Sequence, residues 1–430
     1  MEFHAARWET PGIGQEAQGV PCRVALAEDG LVVLPEGREE VYLYYSDIDR
    51  LEEGDYRVGL RTWDGREFAL RHLGSYYGQF VRDLQDRRKA QLVRNLLMAD
   101  EGFRKDFSCA YRLEDAGRVA SEDDAARVAL YRNTLVVFPE QADPFNFAYC
   151  DLEGTAAFDE AAYTLTLRFD LGEKLTLTRM GTRFRELQDE LTRAVDEMYE
   201  RSARLLASTL PDTSEGTLFR LARALRMGKA TSRARLEAVA PNLWAHLLEV
   251  IFVDETGQPS PVRRRAFEWL ASRTRPELTY LGLREVDAAE GSADGGGGEE
   301  GDEGARHRPL YWFLVALPEH NALASEVTNE SGHATYFFRI VDEGRPTPDQ
   351  VERRVRELSR ALQALNFRRE VILASDEEMA SERFLRYRVA LRKLPYLREV
   401  RRLFAGRAIH RTEAGWEKRA EELLAVTAAP

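Results

Sequence analysis

Lysine is nearly missing from this chain: of 61 basic residues only Lys89, Lys105, Lys174, Lys229, Lys393 and Lys418 are not arginine. Such a bias follows genome composition and does not by itself mark a phosphate-binding surface. Cysteine is equally scarce. Cys22, Cys109 and Cys150 are odd in number and lack metal-ligand spacing, which argues against a disulfide framework or a zinc module. Each lies in or beside an expected strand, so they read as small buried side chains in a reducing compartment. No apolar run approaches the ~20 residues that cross a bilayer. The start, Met1-Glu2-Phe3-His4, has no basic stretch followed by an apolar one, so it does not read as a signal peptide, and a cytoplasmic location is expected. A Walker loop, a G-x-S-x-G elbow and a Cys-x-x-Cys pair are also lacking, and the G-x-G at Gly12 and Gly14 precedes no strand-to-helix dinucleotide unit. No reaction is legible, and an enzyme is not expected.

What is present is a duplication. Phe3 to Ile48 lies over Phe107 to Leu152 without a gap, at a constant offset of 104. The shared words are Arg23-Val24-Ala25-Leu26 with Arg127-Val128-Ala129-Leu130, Leu31-Val32-Val33 with Leu135-Val136-Val137, Pro35-Glu36 with Pro139-Glu140, and Tyr45/Asp47 with Tyr149/Asp151. In the first copy, β-branched or alternating runs at 22–27, 30–35, 41–45, 56–63 and 66–71 are separated by Glu28-Asp29-Gly30, Glu53-Gly54-Asp55 and Asp64-Gly65, the pattern of an antiparallel meander. The second copy repeats it, with Tyr163 to Phe169 and Lys174 to Thr178 flanking Leu171-Gly172. The period then becomes helical: Phe80, Leu84 and Leu92 in one copy, and Phe184, Leu187, Leu191, Val195 and Met198 in the other. Each copy is expected to be a small sheet closed by one amphipathic helix.

Strands followed by a single closing helix, in about 100 residues, resemble the pleckstrin-homology-like superfold in its bacterial or GRAM-like form. The resemblance covers residues 2 to 98 and 106 to 206 and rests on element order. It implies a helix plugging one end of a bent sheet, and binding of inositol phosphates, peptides or partner proteins, with catalysis rare. Lipid-binding members carry basic residues in the loop between their first two strands, because a phosphate cluster needs converging cations. Here those loops read as residues 9–16 and Leu113 to Asp124, and neither is basic, which argues against a phosphoinositide. Strand addition of a peptide between helix and sheet edge remains open. Tyr42 and Tyr44 share one strand face and could stack on such a peptide, with Tyr45 in the core. Asp47 and Asp151 are expected to cap turns.

The expected fold class is α+β. Two tandem pleckstrin-homology-like modules, 1–100 and 101–207, are followed by a helical connector at 208–275 and an α+β domain at 276–430. The connector shows stripes at Leu218, Leu221, Ala222 and Leu225, then at Leu243, Leu247 and Ile251, and Pro261 opens a further helix toward Phe267 and Leu270. Its Arg223, Arg226, Lys229, Arg233 and Arg235 lack the motifs of nucleic-acid readers and are expected to face the acidic modules. Leu278 to Val286, Leu310 to Leu317 and Ala334 to Val341 read as strands. The Gly-, Asp- and Glu-rich segment 287–305 reads as a flexible acidic loop joining neighbours of one sheet. Thr347-Pro348-Asp349-Gln350 starts a helix carrying Val351, Val355, Leu358, Leu362 and Leu365.

Charge is uneven: residues 1–200 hold 39 acids and 25 bases, and 201–430 hold 34 and 36, for a net charge of -12. Residues 381–419 carry twelve bases against four acids and read as helix with Phe384, Leu385, Leu391, Leu397, Leu403 and Phe404 inward. Arg386, Arg392, Arg401 and Arg402 are the candidate contacts there. His320, Asn321, Glu326, Asn329 and His333 gather polar and titratable types, but no metal-ligand spacing, and read as a polar connection. No metal or cofactor is expected, and oligomeric state is left open. The function expected is a noncatalytic scaffold or adaptor for a protein or peptide, duplication raising the effective concentration of a repeated partner. The alternative is salt-sensitive binding of an anionic membrane or nucleic acid through the basic tail.

Overall fold

The computed structural model describes residues 2–9, 19–96, 102–140, 142–252, 260–287, 307–327, 334–365, 370–379 and 381–428, apart from the side chains of Asp287, His307, Val327, Glu382 and Arg386. Helices and antiparallel sheets are mixed along the chain, an α+β protein. The first copy contains β1 (His4–Glu9), β2 (Val20–Leu26), β3 (Gly30–Pro35), β4 (Val41–Tyr44), β5 (Ile48–Gly54), β6 (Arg57–Thr62), β7 (Glu67–Arg71) and the closing α1 (Tyr77–Asn95). The second contains β8 (Lys105–Asp115), β9 (Arg118–Leu130), β10 (Thr134–Pro139), β11 (Phe145–Ala148), β12 (Ala157–Asp159), β13 (Thr164–Arg168), β14 (Lys174–Thr178) and α2 (Phe184–Thr209).

The two sheets have the same strand order, β4-β3-β2-β1-β7-β6-β5 and β11-β10-β9-β8-β14-β13-β12. A 3₁₀ turn follows the fourth strand in both, Tyr45–Asp47 and Tyr149–Asp151. Here the reason for the repeated tyrosine is plain: Tyr45 Oη donates to Ala27 O and Tyr149 Oη to Tyr131 O, each at 3.0 Å. Each buried ring thus ties the turn to the β2–β3 or β9–β10 connection and keeps its hydroxyl paired. In the first copy Trp8, Val24, Leu31, Val33, Leu43, Ile48, Leu60 and Leu70 form the core, closed by Phe80 and Leu84 of α1.

Sequence patterning missed β5 and picked out no run for β1, which only the loop read at 9–16 implied. β1 alternates over a single buried pair, Ala6 and Trp8, too short a run to stand out, and β5 is a polar edge strand. It also misjudged the second copy's first connection. Leu113 to Asp124 is mostly strand, β8 and β9 running into a tight turn at Ala116 and Gly117, both at positive φ. The predicted acidic loop is a projecting hairpin whose outer residues are exposed, so burial left no pattern to read. Its counterpart in the first copy lies almost wholly outside the described residues.

After α2 come α3 (Glu215–Leu225), β15 (Thr231–Ser232), α4 (Arg233–Val239), α5 (Leu243–Ile251) and α6 (Pro261–Ala271). Then follow β16 (Thr279–Asp287), β17 (His307–Leu317), β18 (Ala322–Val327), β19 (Ala334–Arg339), α7 (Pro348–Ala364), α8 (Glu370–Leu373), α9 (Asp376–Met379), α10 (Leu385–Lys393), α11 (Pro395–Arg402), β20 (Phe404–Ile409) and α12 (Glu413–Ala428). Strands β15 to β20 form a third sheet in chain order. β16 and β17, flanking the acidic segment, pair directly from Thr279↔Val315 to Asp287↔His307. The helix starting at Thr347 has a capping box, Gln350 Oε1 accepting from Thr347 N at 2.8 Å and Thr347 Oγ1 from Gln350 N. The tail departs from the all-helical expectation: Pro395 separates α10 from α11, and Phe404–Ile409 is an edge strand paired with β19.

The chain groups into two compact units. Met1–Asp100, Val136–Asn146 and Ala374–Leu394 make the first, and Glu101–Leu135, Phe147–Leu373 and Pro395–Pro430 the second. Within the first, α10 packs against α1 and the 3₁₀ turn Tyr45–Asp47. Within the second, α7 packs against α11, and α12 against β20.

Candidate functional site

The candidate tyrosines lie as their spacing implies. Tyr42 and Tyr44 stand on the same face of edge strand β4, rings 5.0 Å apart, while Tyr45 is buried. The Tyr42 hydroxyl donates to Asp29, and burial together with that carboxylate raises its pKa above the usual tyrosine range. Tyr42 is therefore partly exposed but chemically satisfied.

The candidate arginines are held within the chain. Arg392, in the last turn of α10, stacks over Trp63 at 5.2 Å, and Lys393 over the same ring at 5.1 Å. Arg401 donates to Val371 O at 2.7 Å. Arg402 pairs with Asp342 and, at 2.6 Å, with Glu399, and these bonds raise its pKa. For Arg386 only the backbone is described, in α10. In the connector, Arg226 donates to Leu152 O and Lys229 pairs with Asp170 at 2.8 Å, the intramolecular role expected for them.

The polar cluster of the third sheet is only partly brought together. His320 ends the 3₁₀ turn Pro318–His320 before β18, and Glu326 lies near that strand's other end, about 20 Å away at the rise of an extended chain. Asn321 braces the turn, its side chain exchanging bonds with Val341 O (2.9 Å) and N (3.0 Å). Asn329 and His333 lie outside the described residues. Glu326 instead meets a residue that sequence reading did not single out. Its Oε2 accepts from Thr335 Oγ1 at 2.6 Å and lies 3.0 Å from His410 Nε2, while Trp416 Nε1 donates to Thr335 Oγ1 at 3.0 Å. Nothing local signals this pair, because 84 residues separate its members. Among the described residues no group of three His, Cys, Asp or Glu is arranged to hold a metal ion. The three cysteines are free and buried, and burial pushes the thiols of Cys22 and Cys109 up to about 11 and about 12.

The clearest constellation is a corner that both copies build alike. The backbone N–H of Trp63 donates to Asp47 O at 3.2 Å, and that of Asp170 to Asp151 O at 3.1 Å, so a residue just past the sixth strand, the first after β6 and the second after β13, closes onto the 3₁₀ turn in each. The following hairpin bonds also match, Gly65 N to Thr62 O and Gly172 N to Phe169 O. A helix from the C-terminal half presents a guanidinium to each corner. In the first unit this is Arg392 over Trp63, where burial and the neighbouring Arg388 lower its pKa against the opposing charges of Asp47, Asp49 and Asp64. In the second it is Arg360 of α7, 2.6 Å from Asp170, 2.6 Å from Glu173 and 3.2 Å from Asp151.

The electrostatics differ between the corners. Around Arg360, burial opposes ionisation of Asp151 and pushes its pKa up to about 6, whereas for Asp170 the cations Arg360 and Lys229 outweigh burial and lower it. Three carboxylates share two cations, and Asp151 is the group left short. At Trp63 the contact is softer. The ring is only partly buried, and its Nε1 is enclosed without a hydrogen-bond partner. Nearby, Asp143 receives Arg88 at 2.5 Å and Lys393, which lower its pKa against the effect of burial.

A second surface is the edge of β5, which among the described residues pairs only with β6. The β5–β6 hairpin turns through Asp55 and Tyr56, both at positive φ, the geometry of a two-residue type I′ turn. Gly54, Glu52 and Arg50 then bond to β6, while the N–H and C=O of Glu53 and Leu51 point to the open side. Leu51 packs its side chain on the core, and Glu52 and Glu53 are exposed. Among the described residues no helix is long and apolar enough to cross a membrane. No protein-family model matches the chain, and no curated protein matches it either.

Proposed function

We propose that the protein is a noncatalytic interaction scaffold whose duplicated modules are pleckstrin-homology-like, and that the first module takes a peptide of a partner protein as an added strand on β5. The modules correspond to 1–100 and 101–207, with the connector 208–275 and the region 276–430 as the body that carries them. The strand order shared by the two sheets and the single closing helix support the kinship. The observation that carries the binding reading is the β5 edge: seven residues long, with outward N–H and C=O groups at Leu51 and Glu53. An unpaired edge is a template for another strand unless something blunts it. The rival reading, a phosphate-rich surface gripped by the tail, is weakened because Arg392, Arg401 and Arg402 already have partners in the chain.

The test is capture from native lysate by three full-length baits. Glu53→Pro removes one outward N–H and spares the β6 ladder, and Glu53→Ala keeps it. A protein retained by the wild type and Glu53→Ala but lost from Glu53→Pro, with equal melting temperatures, supports strand addition. Equal capture by all three, or nothing above background, overturns it.

A further inference from the structure

The repeated corner receives a helix-borne arginine in each copy. In both copies the residue closing onto the 3₁₀ turn meets a cation borne by a helix: Trp63 lies under Arg392 and Lys393, and Asp170 pairs with Arg360, which in the second copy also reaches Asp151 of the turn. The two helices are unrelated in sequence and lie at different places in the chain, yet each delivers arginine to the same structural position. Convergence of two helices of different sequence on one duplicated frame is the pattern a binding surface would leave. The occupants differ in how firmly they are held. Arg360 is enclosed, its side chain 10% exposed, and engages three carboxylates. Arg392 and Lys393 lie over a partly exposed indole whose N–H has no acceptor, and Lys393 also pairs with Asp143.

We propose that the Asp47–Trp63 corner of the first module is a docking surface for a basic helix of a partner protein, and that α10 occupies it in cis as a displaceable stand-in. The chemistry of the occupant follows from what α10 presents: small apolar side chains, Val389 and Ala390, buried at the contact, and adjacent cations in the last turn, where they also complement the helix dipole. A partner helix of this kind that also carries a hydrogen-bond acceptor would satisfy Trp63 Nε1, which α10 leaves unpaired. The segment 374–394 belongs to the first unit while the chain on either side belongs to the second, so α10 reaches the corner as an excursion held by its own contacts. This docking is independent of strand addition at β5, and either can fail alone.

The experiment uses the full chain and, as probe, a fluorescein-labelled peptide of residues 381–395. Anisotropy is followed for the wild type, for Arg392→Ala/Lys393→Ala, which vacates the indole, and for that variant with Trp63→Ala added. The vacated variant is expected to bind the peptide at least about tenfold more tightly than the wild type, since the tethered helix, stripped of both cations, competes less, and the third variant to lose that gain. Equal affinity across the three, or no binding by the vacated variant, overturns the proposal. A measurement on the wild type guards against misfolded variants. Amide exchange of Leu385–Lys393 is followed with and without an isotopically heavy copy of the peptide at about 1 mM, near the effective concentration of a tethered segment. Faster exchange with peptide is expected, and unchanged protection overturns displacement.

Discussion

Arg360 and Asp170 lie 190 residues apart in sequence and 2.6 Å apart in space. The same guanidinium reaches Glu173 and Asp151, and burial of the group makes these contacts costly to lose. Arg360→Leu leaves carboxylates enclosed with Lys229 as the remaining cation and is expected to cost about 3–5 kcal/mol. Arg360→Lys restores charge but not the planar fork, so it recovers only part. Denaturant melts of the two variants check this, and equal stability of Arg360→Leu and the wild type would refute the role given to the network.

Asp151 makes the same network pH-dependent. Its pKa in the folded chain is about 6, against about 3.9 for a free aspartate, so the folded state keeps a proton that the unfolded chain releases. Between about pH 4 and 6 the folded state binds more protons, and this group's contribution to stability falls as pH rises. Asp170 and Asp143, with lowered pKa values, act oppositely: their stabilisation is lost as pH falls below the ordinary aspartate range. Asp151→Asn removes only the first effect. The variant's unfolding free energy minus that of the wild type is expected to grow by about 1–3 kcal/mol from pH 4 to 7. A pH-independent difference would mean that Asp151 is ionised throughout.

How much of this was legible follows the range of each interaction. The constant offset from Phe3 to Ile48 displays a repeated plan because copied strands keep their residues in register, and Tyr45 with Tyr149 marks its turn. The helix from Thr347 was readable from its cap and stripe, both local. Edge strands were harder. β5 carries Arg50, Glu52 and Glu53 outward, and the β8–β9 tip is exposed on most positions, so alternation fades. The site was hardest of all. Composition shows that arginines are abundant near Arg392 and Arg360, but which carboxylate or ring each meets depends on folding over more than a hundred residues. The Glu326–His410 pair is the same case, visible only once β18 and the end of β20 are neighbours of β19.

The paired tyrosines allow a test of the duplication itself. Tyr45 and Tyr149 make the same 3.0 Å bond to a backbone carbonyl from buried rings. Phenylalanine at either position keeps the packing and leaves that carbonyl short of one donor, a loss of about 1–2 kcal/mol. Tyr45→Phe and Tyr149→Phe are expected to cost similar amounts, and the double variant their sum within about 0.5 kcal/mol. Urea melts monitored by circular dichroism measure all three, and a neutral effect at one site only would show that the two turns are not energetically equivalent.

In the third sheet one glycine is held by its neighbour rather than by its torsions. Gly282 on β16 stands opposite Trp312 on β17, and a Cβ at position 282 would lie 2.0 Å from the indole ring. Trp312 is fully buried, so the ring has no free space to retreat into. Gly282→Ala is therefore expected to destabilise by about 1–3 kcal/mol through overpacking, against the usual strand preference for alanine over glycine. Shrinking the neighbour tests the cause. Trp312→Phe alone opens a cavity and costs stability, but Gly282→Ala added to Trp312→Phe should cost less than Gly282→Ala in the wild type, giving a favourable coupling in the double-mutant cycle. Additive losses would mean that the indole is not what excludes a side chain at position 282.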